Sequence, residues 1–375
     1  MEFIKKCIWT LLEWFTRRRS AGIACVKYGT ALLLATLALD LAAQVRYDGE
    51  HGKFELQFSF GQGLPGWAVV IAYGLGCVLF LVGLGILLCD YVDDRRGRQR
   101  RRLFILELRG LHASPDTPIG DAVLPEVKAQ RHQILLDFRP QLREQLVDPG
   151  LALQKVMSFP ATVTAATAAT AKADVSFAVG GLAAVPALFL TGALLDDESQ
   201  FTLFDWDRTA RVWRRLDGDD DGVRFQAPLG IDSLDGAEEV VLVVEASYAI
   251  EASNVTAAFG EGLPVVRLSV APILADRFWS EKKQAELTVE FRDTLQALMG
   301  RGVKRIHLLL AAPSSLCIRM GSAYDERLMP ELLVYQFERT ASPPYPWAFR
   351  VPSHGQAKAE IVDRSAANFT ASSVG

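Results

Sequence analysis

Residues 304–341 read KRIHLLLAAPSSLCIRMGSAYDERLMPELLVYQFERTA: an apolar strand-like run, a tight Pro313-Ser314-Ser315 turn, a helical stretch and a second strand. The same order occurs earlier in the chain. ADVSFAV (173–179) is followed by Gly180-Gly181, then by LAAVPALFLTGALL (182–195) and FTLFDWDRTA (201–210). Each closing strand ends on aromatic, acidic, Arg, Thr, Ala: Trp206-Asp207-Arg208-Thr209-Ala210 against Phe337-Glu338-Arg339-Thr340-Ala341, with Trp213 and Trp347 beyond. Upstream, FILELRGL (104–111) and VVLVVEASY (240–248) open the two halves, and QILLDFRP (133–140) and PVVRLSV (264–270) follow them. Short β-branched runs alternating with helical stretches predict an α/β fold. The internal match predicts two related lobes, 103–236 and 237–375 with a C-terminal tail, packed as an intramolecular pseudo-dimer.

In sheets of this kind ligands collect beyond the carboxyl ends of the strands, where backbone N–H groups and helix dipoles attract anions. Two lobes bring several such turns around one cleft. The candidate ligand-binding turns are Arg109-Gly110-Leu111, Gly180-Gly181, Ser247-Tyr248 and Ala312-Pro313-Ser314-Ser315. Small residues let a ligand approach the backbone, Ser hydroxyls suit phosphate or ribose, and Tyr248 offers a stacking face. Gly, Ser and Pro are also ordinary turn and N-cap residues, so it is the shared place in a duplicated frame that marks a site. Arg208 and Arg339 are local cationic donors in the same frame and serve equally as strand-end ion pairs.

Working outward to the amino terminus, the composition changes. Half of the 375 residues are apolar and 22% are charged, too greasy for a wholly soluble chain and too charged for a polytopic one. The net charge of −4 hides a split, +5 up to Arg102 and −9 beyond. A basic front faces anionic lipid, and an acidic body argues against wrapping long nucleic acid. Residues Ala68 to Cys89 carry no charge and span about 33 Å as a helix, the thickness of a hydrocarbon core. The stretch 21–43 is nearly as apolar but holds Lys27 and Asp40.

Basic residues 5, 6 and 17–19 precede the first apolar stretch, and arginines 95, 96, 98 and 100–102 follow the second. The positive-inside rule therefore puts both termini in the cytoplasm. The expected order is an amphipathic interfacial helix at 1–20, transmembrane helices at 21–43 and 67–89, an extracytoplasmic β-hairpin at 44–66 around DGEHG, and a basic linker at 90–102. Cleavage of the first span as a signal peptide is disfavoured by its late start and by the second span. Lys27 snorkels to the interface or, in an oligomer, lines a pore that favours anions. Ala72, Gly76 and Gly83 form a small-residue face for close helix packing.

Signals for catalysis or metal fail. Asp217 to Gly222 imitates the start of a calcium loop, but its twelfth position is Pro228, and a solvated hairpin turn is expected. Ser280 and Lys283 have Ser-x-x-Lys spacing, yet Ser280 reads as the N-cap of a helix whose Leu287, Phe291, Leu295 and Leu298 form a buried stripe. His307 reads as a core histidine, and Asp205 and Asp207 are expected on opposite strand faces. No HExxH, GxSxG, Walker loop or GxGxxG after a strand is present, so no catalytic and no metal-ligating residue is assigned. The five scattered cysteines form neither a disulfide framework nor a zinc site.

VSFAVGGLAAVPALFLTGALL (175–195) with FDWDR (204–208) and Trp213, then residues 306–339 with Pro-Tyr-Pro-Trp (344–347), resemble the SAVED domain of bacterial CBASS antiphage systems. The resemblance covers roughly Leu103 to Pro352. It implies two fused CARF-like Rossmannoid lobes that bind a cyclic di- or trinucleotide made by a cGAS-like nucleotidyltransferase, with no other cofactor. Ligand-driven oligomerisation then activates a fused effector. Because the front end here has two apolar stretches and no nuclease motif, the chain resembles the transmembrane-SAVED class. That class implies an inner-membrane, two-pass homo-oligomer in contact with lipid, without direct DNA or RNA binding, whose output is membrane conductance or damage and abortive infection. A membrane-tethered nucleotide hydrolase and a ligand-free membrane scaffold are the alternatives.

Overall fold

The computed structural model describes residues 21–41, 46–49, 52–55, 66–112, 114–123, 129–140, 146–168, 170–195, 200–234, 236–353 and 358–364. The expected interfacial helix at 1–20 and the tail beyond 364 lie outside them. The chain divides into two compact units, Met1–Arg98 and Gln99–Gly375.

In the first unit, helix α1 (Ala21–Leu41) is followed by the antiparallel strands β1 (Arg46–Gly49) and β2 (Gly52–Glu55), and then by helix α2 (Gly66–Arg100). The hairpin forms at the expected place, with Arg46 opposite Glu55 and Gly49 opposite Gly52. Trp67–Val92 is the helical stretch, among the described residues, long and apolar enough to cross a membrane; the apolar part of α1, Ala21–Thr36, is shorter. The segment from Asp90 to Arg100, read as a linker, is helical.

The two helices approach through glycine. A Cβ on Gly29 would lie 2.6 Å from the Phe80 amide nitrogen, and one on Gly83 would lie 2.6 Å from that of Val26. Gly22 faces Ile86 in the same way, so the helices run antiparallel. Small residues at the crossing give the backbone contact that lipid-embedded helices use in place of a hydrophobic drive. Thr30 and Thr36 donate their hydroxyls back to the carbonyls of Val26 and Leu33, at 2.7 and 2.8 Å, and so leave no open donor in an apolar helix.

The second unit holds two sheets. The first contains β3 (Arg102–Arg109), β4 (Gln130–Asp137), β5 (Val175–Leu182), β6 (Gln200–Asp207) and β7 (Val212–Arg215) in the order β4-β3-β5-β6-β7. The second contains β8 (Glu239–Glu245), β9 (Val265–Ser269), β10 (Arg305–Ala311), β11 (Glu331–Gln336), β12 (Trp347–Arg350) and β13 (Glu360–Asp363) in the order β9-β8-β10-β11-β12-β13. The two orders coincide, β13 being the addition. In each sheet the first four strands are parallel and the rest antiparallel. Strands such as β8 are buried on both faces, which is why they read as unbroken apolar runs.

Helices α3 (Pro149–Thr167) and α4 (Val185–Leu195) cross over in the first half; α5 (Ala252–Phe259), α6 (Glu281–Gly300) and α7 (Ser314–Ser322) do so in the second. Helix α4 is apolar almost all round because it is buried almost all round. It packs on α7 at the centre of a core shared by both sheets, with Phe189, Phe291 and Ile318 fully buried. A Cβ on Gly192 would sit 1.9 Å from the Ile318 carbonyl oxygen, and one on Gly321 would sit 2.0 Å from that of Phe189. The same relation read in both directions is the mark of a two-fold axis at an isologous interface. The second unit is thus the internally symmetric pair of Rossmann-like lobes expected from the repeat. Ser280 caps α6, its hydroxyl accepting from the Lys283 amide, and Leu287, Phe291, Leu295 and Leu298 are buried beneath it.

Candidate functional site

A cavity of about 490 Å³ opens at the carboxyl ends of the strands. Its wall takes Leu182 from the end of β5, Asp205 to Thr209 from the end of β6, Ser247-Tyr248 after β8, Ala275, Asp276, Phe278 and Trp279 before α6, and Ala312 to Ser314 before α7. Six of the residues singled out in the sequence meet here: Arg208, Ser247, Tyr248, Ala312, Pro313 and Ser314.

Ser247 is the most informative of them. Its residue is 5% exposed, and its hydroxyl has no hydrogen-bond partner among the described residues although it lines the cavity wall. A buried hydroxyl left unpaired costs about 1–3 kcal/mol, so such a group points to a missing partner. Tyr248, beside it, is 57% exposed and presents its ring to the opening. Arg208 is exposed at the end of β6, and its charge bears on Asp205.

Asp205 binds the lobes together. One of its oxygens accepts from the Ser315 amide at 3.2 Å and from the Ser315 hydroxyl at 2.7 Å, so a carboxylate from one lobe sits on the first turn of α7 in the other. Burial pushes this carboxyl above the ordinary carboxylate range, against the lowering effect of the Ser315 and Trp206 hydrogen bonds and of Arg208. The two-fold mate of this contact is the Gln336 side chain, which accepts from the Val185 amide of α4 at 3.0 Å.

Several expectations need correction. Gly180 and Gly181 do not form a turn; they are the sixth and seventh residues of β5. Glycine is required there by neighbouring backbone, since a Cβ would come within 2.6 Å of the Phe204 carbonyl at Gly180 and 2.5 Å of Leu108 Cβ at Gly181. The turn is Ala183-Ala184, and Leu182 reaches the cavity instead. Arg109 is buried, its guanidinium held by Glu107 at 2.6 Å and by the Asp116 carbonyl at 3.0 Å. Neither it nor Gly110 nor Leu111 lines the cavity.

That turn still obeys the symmetry. The Gly110 and Leu111 amides both donate to Leu182 O, as those of Ala246 and Ser247 both donate to Ala311 O. Gly110 is glycine because a Cβ would lie 2.3 Å from the Phe138 ring. Ser315 is fully buried, its hydroxyl shared between Asp205 and Gln284, and it is absent from the wall. Arg339 is exposed outside this cavity. Lys27 is an exposed residue of α1.

Asp205 and Asp207 line the same cavity, not opposite faces, because a strand repeats every two residues. The segment 217–222 is not a hairpin turn: Asp217 bridges to Ser280, and Asp217, Asp220 and Asp221 are paired with Arg214, Arg224 and Lys283 at 3.0, 2.7 and 2.9 Å. Among the described residues no cluster of His, Cys, Asp or Glu is arranged for a metal ion. His307 is a buried strand residue whose ring meets Tyr335 Oη at 3.0 Å and Glu239 at 3.3 Å. Burial holds its imidazole below the ordinary value, with Glu239 opposing. Asp276 and Trp279 carried no signal in the sequence. They belong to the irregular segment between β9 and α6, which only the fold brings to the cavity.

A cavity at the strand ends of an internally duplicated α/β unit defines a fused pair of Rossmann-like ligand-binding lobes. The family is narrower still: residues 160–351 match the sequence profile of SAVED, the SMODS-associated and fused to various effectors sensor domain, and the chain belongs to that family. Residues 1–153 match the SAVED-fused 2TM effector domain, so a sensor domain is fused here to a membrane effector domain. This second match extends over β3 and β4, which the sequence reading had assigned to the sensor. No curated protein matches.

Among solved structures, the chain is similar to the Cap4 SAVED/CARF-domain containing receptor of Acinetobacter baumannii with the cyclic trinucleotide 2'3'3'-cAAA. The identity is 14% and the TM-score 0.45, over 77% of this chain and 60% of that one. The Moraxella osloensis Cap4 receptor gives 14% and 0.43, over 73% and 59%. The chain thus spans about 60% of the length of these receptors.

Proposed function

We propose that the protein is a membrane-anchored sensor whose cavity takes a cyclic di- or trinucleotide made by a cGAS-like nucleotidyltransferase. The observation that carries this reading is the unpaired, buried Ser247 hydroxyl in the wall of a cavity of nucleotide size. Family membership supports a sensing role, and the resemblance to CBASS proteins supports the ligand class. The protein is read as non-enzymatic.

The expected topology is two-pass in the bacterial inner membrane with both termini cytoplasmic, supported by the flanking arginines and by the glycine packing of α1 on α2. Ligand binding stabilises a homo-oligomer, and through the basic segment Arg95 to Arg102 this opens a pore or disrupts the bilayer. A full 1:99 to 99:1 inversion requires the ligand to favour the active arrangement by about 5.5 kcal/mol.

The test is to incubate the full-length protein in detergent with cyclic di- and trinucleotides of the four common bases. Recovery of one of them intact from a tight complex is expected, with Ser247→Ala weakening it up to about tenfold, the worth of one hydrogen bond. Steady turnover would make the protein a hydrolase and sink the sensor reading. No binding at all would leave a scaffold.

A further inference from the structure

A second cavity of about 500 Å³ lies beside the first and shares Tyr248 and Ala312 with it. Symmetry relates the two. The hydrogen-bonded turns map Leu182 onto Ala311, the reciprocal helix caps map Asp205 onto Gln336, and the next strand residue maps Trp206 onto Phe337. The mapped residues Ala311, Gln336 and Phe337 all line the second cavity. The duplicated frame has therefore produced two half-sites on either side of Tyr248.

Their chemistry differs. The first is polar, with Asp207, Arg208, Thr209 and Asp276 in its wall. The second has no Lys or Arg in its lining, and its one charged side chain is Glu251, so a phosphate is disfavoured. What it offers is aromatic surface: Phe337, 44% exposed, stands 5.4 Å from the ring of Tyr345, itself buried. Both volumes fall in the roughly 300–1,000 Å³ range of small-ligand pockets.

We infer that the second cavity is a nucleobase subsite: a cyclic oligonucleotide spans Tyr248, with one base stacked on Phe337 and the sugar-phosphate ring on the side of Ser247. This rests on the cyclic-nucleotide reading given above and adds the place and orientation of one base. Stacking on an exposed aromatic face tolerates any base, whereas the polar half reads hydrogen-bonding groups, so the unlike halves hold the ligand in one direction.

The experiment uses the full-length protein in detergent, the tightest binder from the cyclic nucleotide panel, and its 2-aminopurine derivative. Phe337→Ala is expected to weaken binding about tenfold or more, the loss of one stacked base, while Phe337→Trp retains it. The 2-aminopurine emission is expected to be quenched by the wild type and restored in Phe337→Ala. If Phe337→Ala binds like the wild type while Ser247→Ala loses affinity, the second cavity is empty and the inference falls, although the sensor reading stands. If no cyclic nucleotide binds the wild type, both fall together.

Discussion

Ser247 and His307 are both buried polar residues in or just after the strands of the second lobe, and they differ in what surrounds them. The histidine ring is satisfied on both nitrogens, by Tyr335 and Glu239, whereas the serine hydroxyl faces open space. One is part of the fold and the other waits for a partner. Because burial lowers the folded-state pKa of His307, the native protein binds fewer protons there than the unfolded chain does. Stability from this residue is full above the ordinary imidazole value of 6.5 and is lost as pH falls below it toward the lowered value. Denaturant midpoints of the wild type and of His307→Gln are therefore expected to converge as the buffer goes from pH 7.5 to pH 5.5. Parallel lines would show that the ring is not what titrates.

At the scale of elements, the pairing of α4 with α7 governs the lobe interface. The Gly192→Ala substitution places a methyl group against the Ile318 carbonyl, where neither backbone can yield without moving a helix. A loss of about 2–3 kcal/mol is expected from such overpacking. Gly262→Ala is the control, because a Cβ there meets nothing within 4 Å, and its unfolding midpoint is expected to stay near that of the wild type. Equal midpoints for the two variants would show that α4 and α7 can separate freely.

Elements of this kind were legible in the sequence where the period and the repeat spoke together: the strands, the Ser280 cap, the hairpin and the apolar helices. The glycines were not. Gly180-Gly181 resembles a turn by composition, and only the approach of β3 and β6 explains it as strand. The site was half legible for a related reason. The Ser247-Tyr248 and 312–314 turns are local features, but Asp205 reaches Ser315 across 110 residues, and Asp276 and Trp279 arrive on a segment without periodicity.

For the whole molecule, the split between a basic membrane part and an acidic sensor part fixes how each meets its partner. An acidic body gives an anionic ligand no long-range attraction, so recognition depends on short-range donors inside the cavity. In the membrane part, Lys27 is the residue on which a conductance reading turns. Replacing Lys27 with Gln or Glu is expected to reduce ligand-triggered anion flux from loaded liposomes, and unchanged flux would assign it to snorkelling at the interface.

The reciprocal fit of Gly192 and Gly321 bears on the cell as well as on the fold. Two separate subunits would meet only as often as their numbers allow, and a scarce protein would be mostly apart. Tethering the halves in one chain makes their encounter independent of dilution. The ligand cavity is therefore complete in a single copy at any expression level, and copy number limits only whatever follows recognition.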